Sequence, residues 1–450
     1  MPAITLRSLS QPPDKRSAAQ RLPLPEGTLP VGIGLIVAGI SSYVFLIAAN
    51  KALGKSGFPP ISSLWFAVFF LAPGFFLPLE QELGRTIAHR SGLAQGSRPV
   101  VRRIVPLAAV ISLLVVVGVL AASGLITEKF FDHDWVITAA LIVGFLAYAP
   151  NHLARGICSG SGRFGAYGIT MGADGATRVI GCLTLWAMGV TSAGAYAFTI
   201  ALSPLVGVAI VAAKGALKTE PGPPAPWSEV TSNLGWLLLG SVFAAGLINA
   251  GPLALELLRG NQSKEVVASF GQGVVVGRVP LFLFQAVQAA LLPRLAGLAV
   301  RGQFDEFRQG FRRLLMIVIG VGAGGVTSAA LFGPFILRKV FNSDLTARTI
   351  TLLVLGTSIY MIALTFAQAV IALHGHALVA AGWGAGMLTF VLVTWLSSDS
   401  LYLRVELGLV ASSIASAIFF ALSLKSRLAR GETPDADSMI EARVDLPFHG

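Results

Sequence analysis

The 450 residues of this chain are 54% hydrophobic and only 12% charged, with a mean hydropathy of +0.74. A soluble protein carries about 25% charged residues, so the composition excludes an ordinary soluble enzyme and indicates a polytopic membrane protein. The formal net charge of +11 would suit nucleic-acid binding in a soluble chain, but in a membrane protein it is the charge expected of cytoplasmic loops, and we predict no nucleic-acid partner.

Twelve apolar segments long enough to cross a membrane follow one another along the chain. Each has about 20 residues or more, which spans roughly 30 Å as an α-helix. Polar tails without periodicity flank them, and we predict that these tails are disordered and that the first contains no signal peptide. The predicted helices cover residues 31–50, 61–80, 104–124, 134–153, 166–189, 193–213, 232–256, 266–291, 314–333, 349–372, 375–396 and 405–424.

These helices divide evenly into two predicted halves. Residues 30–213 form an N-terminal six-helix bundle and residues 232–425 a C-terminal bundle, with residues 214–231 as a cytoplasmic linker. Residues 1–29 and 426–450 are the two predicted tails. The spans therefore predict an all-α membrane protein of two six-helix bundles.

The distribution of lysine and arginine predicts the orientation. If the N-terminus is cytoplasmic, the inner segments carry 22 of these residues and the outer loops carry 9. The remaining two, Arg178 and Arg278, lie inside predicted helices. Because cytoplasmic loops are enriched in positive charge, we predict that both termini lie in the cytoplasm.

An internal repeat links the two halves. Arg85 and Arg294 lie 209 residues apart, and so do Arg103 and Arg312. In each copy a helix ends at an arginine, a short basic segment follows, and an arginine pair opens the next helix. The repeat predicts two halves of the same topology, related by an axis along the membrane normal.

Helices 2 and 8, which precede the two basic segments, are both interrupted by helix-breaking residues. These residues are Pro73, Gly74 and Pro78 in helix 2, and Gly277 and Pro280 in helix 8. Interrupted helices at corresponding places in two halves point to a transport site. Glycine and proline are also common in membrane helices generally, so a purely structural role stays open.

Two segments carry a recognisable combination of arginine, glycine, tyrosine and proline. RGICSGSGRFGAYGITMGADGATRVIG, from Arg155, places an Arg-Gly, a Gly-x-Gly-Arg-Phe turn and Tyr167 before a helix that bears Arg178. SFGQGVVVGRVPLFLFQAVQAALLPRLA, from Ser269, places Arg278 before a proline break and ends at a second proline. Both segments resemble polysaccharide flippases of the multidrug/oligosaccharidyl-lipid/polysaccharide (MOP) exporter superfamily.

The resemblance covers roughly residues 30–425 and implies a function. It implies two bundles around a central cavity that opens alternately to either side, in the bacterial plasma membrane and without a cofactor. It also implies flipping of a polyprenyl-diphosphate-linked sugar to the outer leaflet for cell-surface polysaccharide synthesis. Membrane lipid, this substrate, and a polysaccharide polymerase or glycosyltransferases are the implied partners.

Asp174 and Arg178 lie inside helix 5, four residues apart and on one face. Arg178 is about eleven residues into the helix and roughly 16 Å deep, near the middle of the membrane. An unpaired charge there costs at least about 2.5–3.5 kcal/mol, and pairing lowers this cost. The pair is therefore either a structural brace of the N-terminal bundle, or a cavity element in which Arg178 binds an anion and Asp174 releases it or carries a coupling cation.

Arg278 has no acid within five positions and lies at a similar depth in helix 8. We expect it to face a cavity, a distant acid or a bound anion. Two such guanidinium groups suit a diphosphate, because each binds phosphate oxygens through two donors. Asn50, Asn249 and Gln272 complete the predicted cavity set, although amides in membrane helices also serve as interhelical contacts.

The cytoplasmic helix ends carry a second charged set. It has two interpretations: ordinary positive-inside loop charge, or an entry gate that attracts a lipid headgroup and closes through salt bridges between the halves. The acidic EQELGR stretch departs from the pattern of most flippases, which leaves the role of its two acids open. The set comprises Glu80, Glu82, Arg85, Arg155, Arg163 and Arg294.

Three other functions compete with flipping. A drug/cation antiporter of the same superfamily is one, although such proteins favour acids in the cavity. A non-transporting scaffold of a polysaccharide assembly complex is another. An enzyme is the third, but Asp132 and Asp134 lie in a short outer loop, and no metal-binding spacing or catalytic motif accompanies them, so we predict no catalytic activity and no metal site.

Overall fold

A computed structural model describes residues 28–231, 234–281, 284, 298, 302–341, 343–373 and 375–430. Within these ranges the chain is helical, with turns and short connections but no β-strand. Most of both predicted tails (residues 1–27 and 431–450) and the gate candidate Arg294 lie outside the described residues.

The helices of the N-terminal half run in the predicted order. They are α1 (Leu29–Gly54), α2 (Ser56–Gly92), α3 (Arg98–Ala121), the short α4 (Ser123–Phe130), α5 (Trp135–Gly160), α6 (Phe164–Ala187) and α7 (Ala193–Ala213). A four-residue helix, α8 (Ser228–Thr231), lies in the connection to the second half.

The C-terminal half continues with helices of similar length. They are α9 (Leu234–Leu258), α10 (Lys264–Gly277), α11 (Phe304–Ile336) with a π-helical turn at its end (Leu337–Phe341), α12 (Ala347–Ala372), α13 (His376–Leu396) and α14 (Leu401–Arg430).

Ten helices in the described part of the chain are long and apolar enough to cross a membrane. The two other spans of the predicted twelve are not among these ten. Helix α6, which is the predicted helix 5, has 24 residues and is long enough to cross a membrane, but it contains the charged Asp174 and Arg178. Helix α10 is described over 14 residues only, and most of the predicted remainder of this span lies outside the described part.

Several helices are longer than hydropathy predicted. Helix α2 continues to Gly92 rather than residue 80, α11 begins at Phe304 rather than residue 314, and α14 ends at Arg430 rather than residue 424. Hydropathy marks only the apolar part of a helix. The extensions contain leucine, glutamate, arginine and lysine, which favour helix while their polar ends remain at the membrane surface.

The direction of the spans defines two faces of the molecule. The start of α1 and the end of α14 lie on one face, here called the termini face, because consecutive spans alternate in direction. On the opposite far face, Asn50 Nδ2 donates to the carbonyl oxygen of Phe341 at 3.0 Å, which joins the ends of α1 and α11. Tyr43 Oη donates to the Val275 carbonyl oxygen at 2.9 Å and also joins the two halves.

The connection between the halves is fastened to the N-terminal half on the termini face. Arg90, whose side chain is 3% exposed, donates to Glu229 at 2.6 Å and to the Pro223 carbonyl oxygen at 2.8 Å. Arg98 donates to the Thr219 carbonyl oxygen at 3.0 Å. Arginines predicted as loop charge therefore hold a polar connection against the helix ends.

Candidate functional site: the central cavity

A cavity of about 480 Å³ lies between the two halves, lined by α1, α2, α5 and α6 on one side and by α9, α12 and α13 on the other. Its lining on α1 comes from the half of that helix nearest the termini face. Cavities of this size hold small-molecule ligands. The polar and large aromatic lining residues are Ser42, Phe69, Gln81, Tyr148, Asn151, His152, Arg155, Asp174, Arg178, Trp236, Ser241, Asn249, Arg278, Tyr360, Gln368, His376 and Trp383.

Asp174 and Arg178 form the predicted ion pair and both line the cavity. Arg178 Nη2 lies 3.2 Å from Asp174 Oδ2, and Ser203 Oγ donates to Asp174 Oδ1 at 2.5 Å. The Arg178 side chain is only 2% exposed, and its Nε and Nη1 have no hydrogen-bond partner in the described part of the chain. The ion pair is therefore present, and two buried N–H groups of its guanidinium group have no acceptor in the described part of the chain.

Aromatic rings of α2 hold the Arg178 guanidinium group from another side. Its central carbon lies 4.9 Å from the centre of the Trp65 ring and 5.6 Å from that of Phe69. Such contacts contribute up to about 2 kcal/mol when desolvated. They restrict the guanidinium group to one position at the cavity wall.

Arg278 immediately follows the last residue of α10 and faces the same cavity. Its Nη2 donates to the Ile248 carbonyl oxygen and to Asn249 Oδ1, both at 2.7 Å, and its Nε has no partner in the described ranges. The guanidinium carbon lies 5.6 Å from the centre of the Phe66 ring. Among the described residues no acid pairs with this arginine, and its partners are neutral oxygens of α9.

Asn249 connects Arg278 to the opposite half. Besides accepting from Arg278, its Nδ2 donates to the Phe69 carbonyl oxygen of α2 at 3.2 Å and to the Ala245 carbonyl oxygen at 2.8 Å. Ser241 Oγ of α9 also bonds to the opposite half, donating to the Pro73 carbonyl oxygen at 3.1 Å.

A buried polar cluster surrounds Glu80 near the termini face. The carboxylate accepts from Arg155 Nε at 2.9 Å, from His152 Nδ1 at 2.8 Å and from Tyr167 Oη at 2.9 Å. Gly156 makes this possible, because a Cβ atom there would lie 2.8 Å from the Glu80 carbonyl oxygen. All members belong to the N-terminal half, so Glu80 and Arg155 do not form a salt bridge between the halves in this structure.

The three remaining gate candidates that the structure describes, Glu82, Arg85 and Arg163, do not line the cavity. Glu82 pairs with Arg85 on the same helix at 2.6 Å, and Arg85 also donates to the Glu229 carbonyl oxygen. Arg163 donates to two carbonyl oxygens of the connection between the halves, those of Ala216 and Lys218. Like the Glu80 cluster, these contacts stay within the N-terminal half or its connection.

Two predicted cavity residues do not line the cavity. Asn50 belongs to the far-face contact described above. Gln272 is buried within α10, 6% exposed. Helical periodicity cannot distinguish a polar residue that faces a neighbouring helix from one that faces a cavity.

Sequence reasoning missed Asn151 and His152. Both line the cavity, and Asn151 Nδ2 donates to the Pro204 carbonyl oxygen at 3.1 Å. Their signal was present, since two adjacent polar residues stand inside the apolar span predicted at residues 134–153. Intramembrane polar residues of this kind face the bundle interior.

Comparison with known proteins identifies similar sequences of mycobacteria. No protein-family model matches the chain. An uncharacterised protein of Mycobacterium tuberculosis is 28% identical over 391 residues, covering 80% of this chain and 84% of its own length, and one of Mycobacterium bovis matches equally. A second uncharacterised Mycobacterium tuberculosis protein is 26% identical over 396 residues, covering 82% of this chain and 84% of its own length.

Solved structures show what fold this is. An inward-facing multidrug resistance MATE family transporter of the MOP superfamily superimposes with a TM-score of 0.70 at 13% identity, over 91% of this chain and 99% of that protein. An outward-facing structure of a multidrug resistance MATE family transporter of the MOP superfamily gives 0.67 at 12% identity, over 90% of this chain and 96% of that protein. The Vibrio cholerae MATE transporter VcmN in its bent form gives 0.62 at 14% identity, over 89% and 98%. The chain has the MATE transporter fold, with two pseudo-symmetric bundles around a central cavity, which confirms the predicted fold class.

Proposed function

We propose that this protein is an alternating-access transporter that moves a polyprenyl-diphosphate-linked sugar from the cytoplasmic to the outer leaflet. The observation that carries the proposal is the placement of Arg178 and Arg278, one from each half, in one cavity. Each has a buried N–H donor that lacks an acceptor among the described residues. The MATE-type fold supports alternating access. The sugar head would cross through the cavity while the polyprenyl tail remains in lipid.

The charges of the cavity favour an anion over a cation. Asp174 offsets Arg178, but the partners of Arg278 are neutral, so the two arginines leave one uncompensated positive charge. A buried donor without a partner costs about 1–3 kcal/mol, and phosphate oxygens remove that cost. A diphosphate suits both guanidinium groups, because each binds phosphate oxygens through paired donors.

Membrane potential supplies a direction for this transport. A diphosphate with two negative charges gains roughly 4–5 kcal/mol per 100 mV on leaving a cell that is negative inside, at about 2.3 kcal/mol per charge. Outward flipping therefore needs no coupled ion, although Asp174 remains available for one.

A drug/cation antiporter is the second candidate. The similar solved structures include multidrug resistance transporters, and the cavity wall includes aromatic Trp236, Tyr360 and Trp383 as well as Asp174. Aromatic faces and one carboxylate are the chemistry that binds an organic cation. The uncompensated Arg278 opposes this candidate.

Proteoliposomes carrying a fluorescent polyprenyl-diphosphate sugar test the proposal, with and without an imposed potential. We expect potential-dependent flipping in wild type, its loss in Arg178→Ala and Arg278→Ala, and its retention in Arg308→Ala, a matched control whose exposed arginine pairs with Asp305 far from the cavity. Normal flipping by a folded Arg278→Ala protein would contradict the proposal. Uptake of an organic cation that needs Asp174, without sugar flipping, would establish the antiporter.

A further inference from the structure

The contact between Asn249 and Phe69 has a cause in the sequence. In an α-helix each carbonyl oxygen accepts from the N–H group four residues later. Pro73 stands four residues after Phe69, and Pro252 stands four residues after Ile248. Because proline has no N–H, both carbonyl oxygens lose their helical donor and need another partner when buried.

The two freed carbonyl oxygens are satisfied by one connected network. Asn249 Nδ2 donates to the Phe69 carbonyl oxygen, and Arg278 Nη2 donates to the Ile248 carbonyl oxygen and to Asn249 Oδ1. Asn249 is 3% exposed. The Asn249 amide thus binds α2 of the N-terminal half, and it is oriented by Arg278 of its own C-terminal half.

The same arginine stands next to another contact between the halves. Val275, whose carbonyl oxygen accepts from Tyr43, lies three residues before Arg278, and the Arg278 backbone N–H bonds to that oxygen as well. A displacement of Arg278 therefore acts at two bonds between the halves: directly on Asn249, and through the end of α10 on Tyr43.

We propose that Asn249 is a positioning residue that couples anion binding at Arg278 to separation of the two halves on the far face. An anionic headgroup draws Arg278 Nη2 away from Ile248 and Asn249. The amide, no longer oriented, releases the Phe69 carbonyl oxygen, and the halves separate where Tyr43 and Asn50 hold them. Release of this contact by a bound anion, here called the trigger, rests on the proposed function, because an anion must reach Arg278. The hydrogen bond from Asn249 to the Phe69 carbonyl oxygen, here called the lock, does not depend on that function.

Spin labels on the far face measure this separation. Thr191 and Asp399 lie in the exposed far-face connections of the two halves, and the native thiols of Cys158 and Cys182 are buried. Pulsed electron–electron double resonance on the spin-labelled double variant Thr191→Cys, Asp399→Cys measures the distance distribution between the two labels. It is recorded with inorganic pyrophosphate, with a polyprenyl-diphosphate sugar, and with neither. In the wild-type background we expect a predominantly short distance without ligand and at least a threefold larger long-distance population with it.

Two variants remove the lock by different chemistry. Asn249→Leu deletes the donor, and Pro73→Ala restores an N–H group to the Phe69 carbonyl oxygen so that the amide is no longer required. Each should raise the long-distance population without ligand at least threefold and leave little further response to ligand. Because both act on one bond, the double variant should exceed the larger single effect only slightly. Asn151→Leu is the matched control, since Asn151 also lines the cavity and caps a carbonyl oxygen, but within its own half.

The outcomes separate the two proposals. A wild-type response that persists unchanged in Asn249→Leu overturns the coupling while the proposed function stands. A wild-type distribution indifferent to both ligands overturns the trigger and counts against the proposed function, and a shift of the ligand-free distribution in Asn249→Leu alone would then support only the lock. Loss of the ligand response in Asn151→Leu as well would overturn the assignment to Asn249.

Discussion

Arg178 and Arg278 face one cavity but are held by different partners. Arg178 pairs with a carboxylate one turn away on its own helix, so most of its charge is compensated. Arg278 is held by a carbonyl and an amide oxygen, which orient the guanidinium group but leave its charge uncompensated. We therefore expect Arg278 to attract an anion and Asp174 to weaken the binding of that anion by Arg178.

Asp174→Asn tests this division of roles. Removing the carboxylate leaves the Arg178 charge uncompensated, so pyrophosphate should bind about tenfold more tightly, a difference of about 1.4 kcal/mol. Tighter binding should slow release, so sugar flipping should show a lower KM and a lower maximal rate. Isothermal titration calorimetry and the flipping assay measure both, with Asp305→Asn as an exposed control. Weaker pyrophosphate binding in Asp174→Asn would contradict this role.

Sequence reasoning reached the ion pair but not all of its surroundings. Asp174 and Arg178 could be paired from their spacing alone, because residues four apart share a helix face. The aromatic contacts of Arg178 come from α2, about a hundred residues earlier in the chain. Only the packing of α2 against α6 determines that contact, and no local pattern contains it.

At the scale of elements, the approach of α2 and α5 depends on glycine. A Cβ atom at Gly156 would lie 2.8 Å from the Glu80 carbonyl oxygen, and one at Gly160 would lie 2.5 Å from that of Gly84. Small residues allow helix backbones to approach closely in membranes. This approach brings His152 and Arg155 within reach of Glu80.

Gly156→Ala should therefore destabilise the protein. Added volume at a backbone contact costs about 1–3 kcal/mol, because α2 and α5 must move apart and the Glu80 cluster must rearrange. Thermal unfolding in detergent measures the loss as a lower midpoint temperature. Gly118→Ala in α3 is the matched control, since a Cβ atom there meets nothing within 4 Å. An equal or higher midpoint for Gly156→Ala would show that the helices tolerate wider spacing.

At the scale of the whole molecule, the connection between the halves is bonded to the N-terminal half. Arg85, Arg90, Arg98 and Arg163 bind its carbonyl oxygens, and Arg103 stacks on the ring of Trp227 at 4.7 Å. Arginines that orientation rules assign to loop charge therefore have a structural role as well. These contacts hold the connection against the N-terminal bundle.

Arg90→Ala should free this connection. Its buried guanidinium group holds Glu229 and two proline carbonyl oxygens, so its loss leaves several partners without a donor. We expect limited proteolysis within residues 214–231 to become at least tenfold faster, with a small change in Arg98→Ala, whose bonds are exposed. Equal cleavage rates in wild type and Arg90→Ala would show that other contacts suffice.

The sequence alone determined the fold class, the approximate spans and the pairing of Asp174 with Arg178. Hydropathy reports burial in lipid, and helical spacing reports neighbours on one helix, so these features are readable locally. Only the tertiary structure decided that Arg278 and Asn249 face the cavity whereas Asn50 and Gln272 do not, and that Asn249 reaches Phe69. Those facts depend on how the two halves pack, and packing joins residues that lie far apart in the chain.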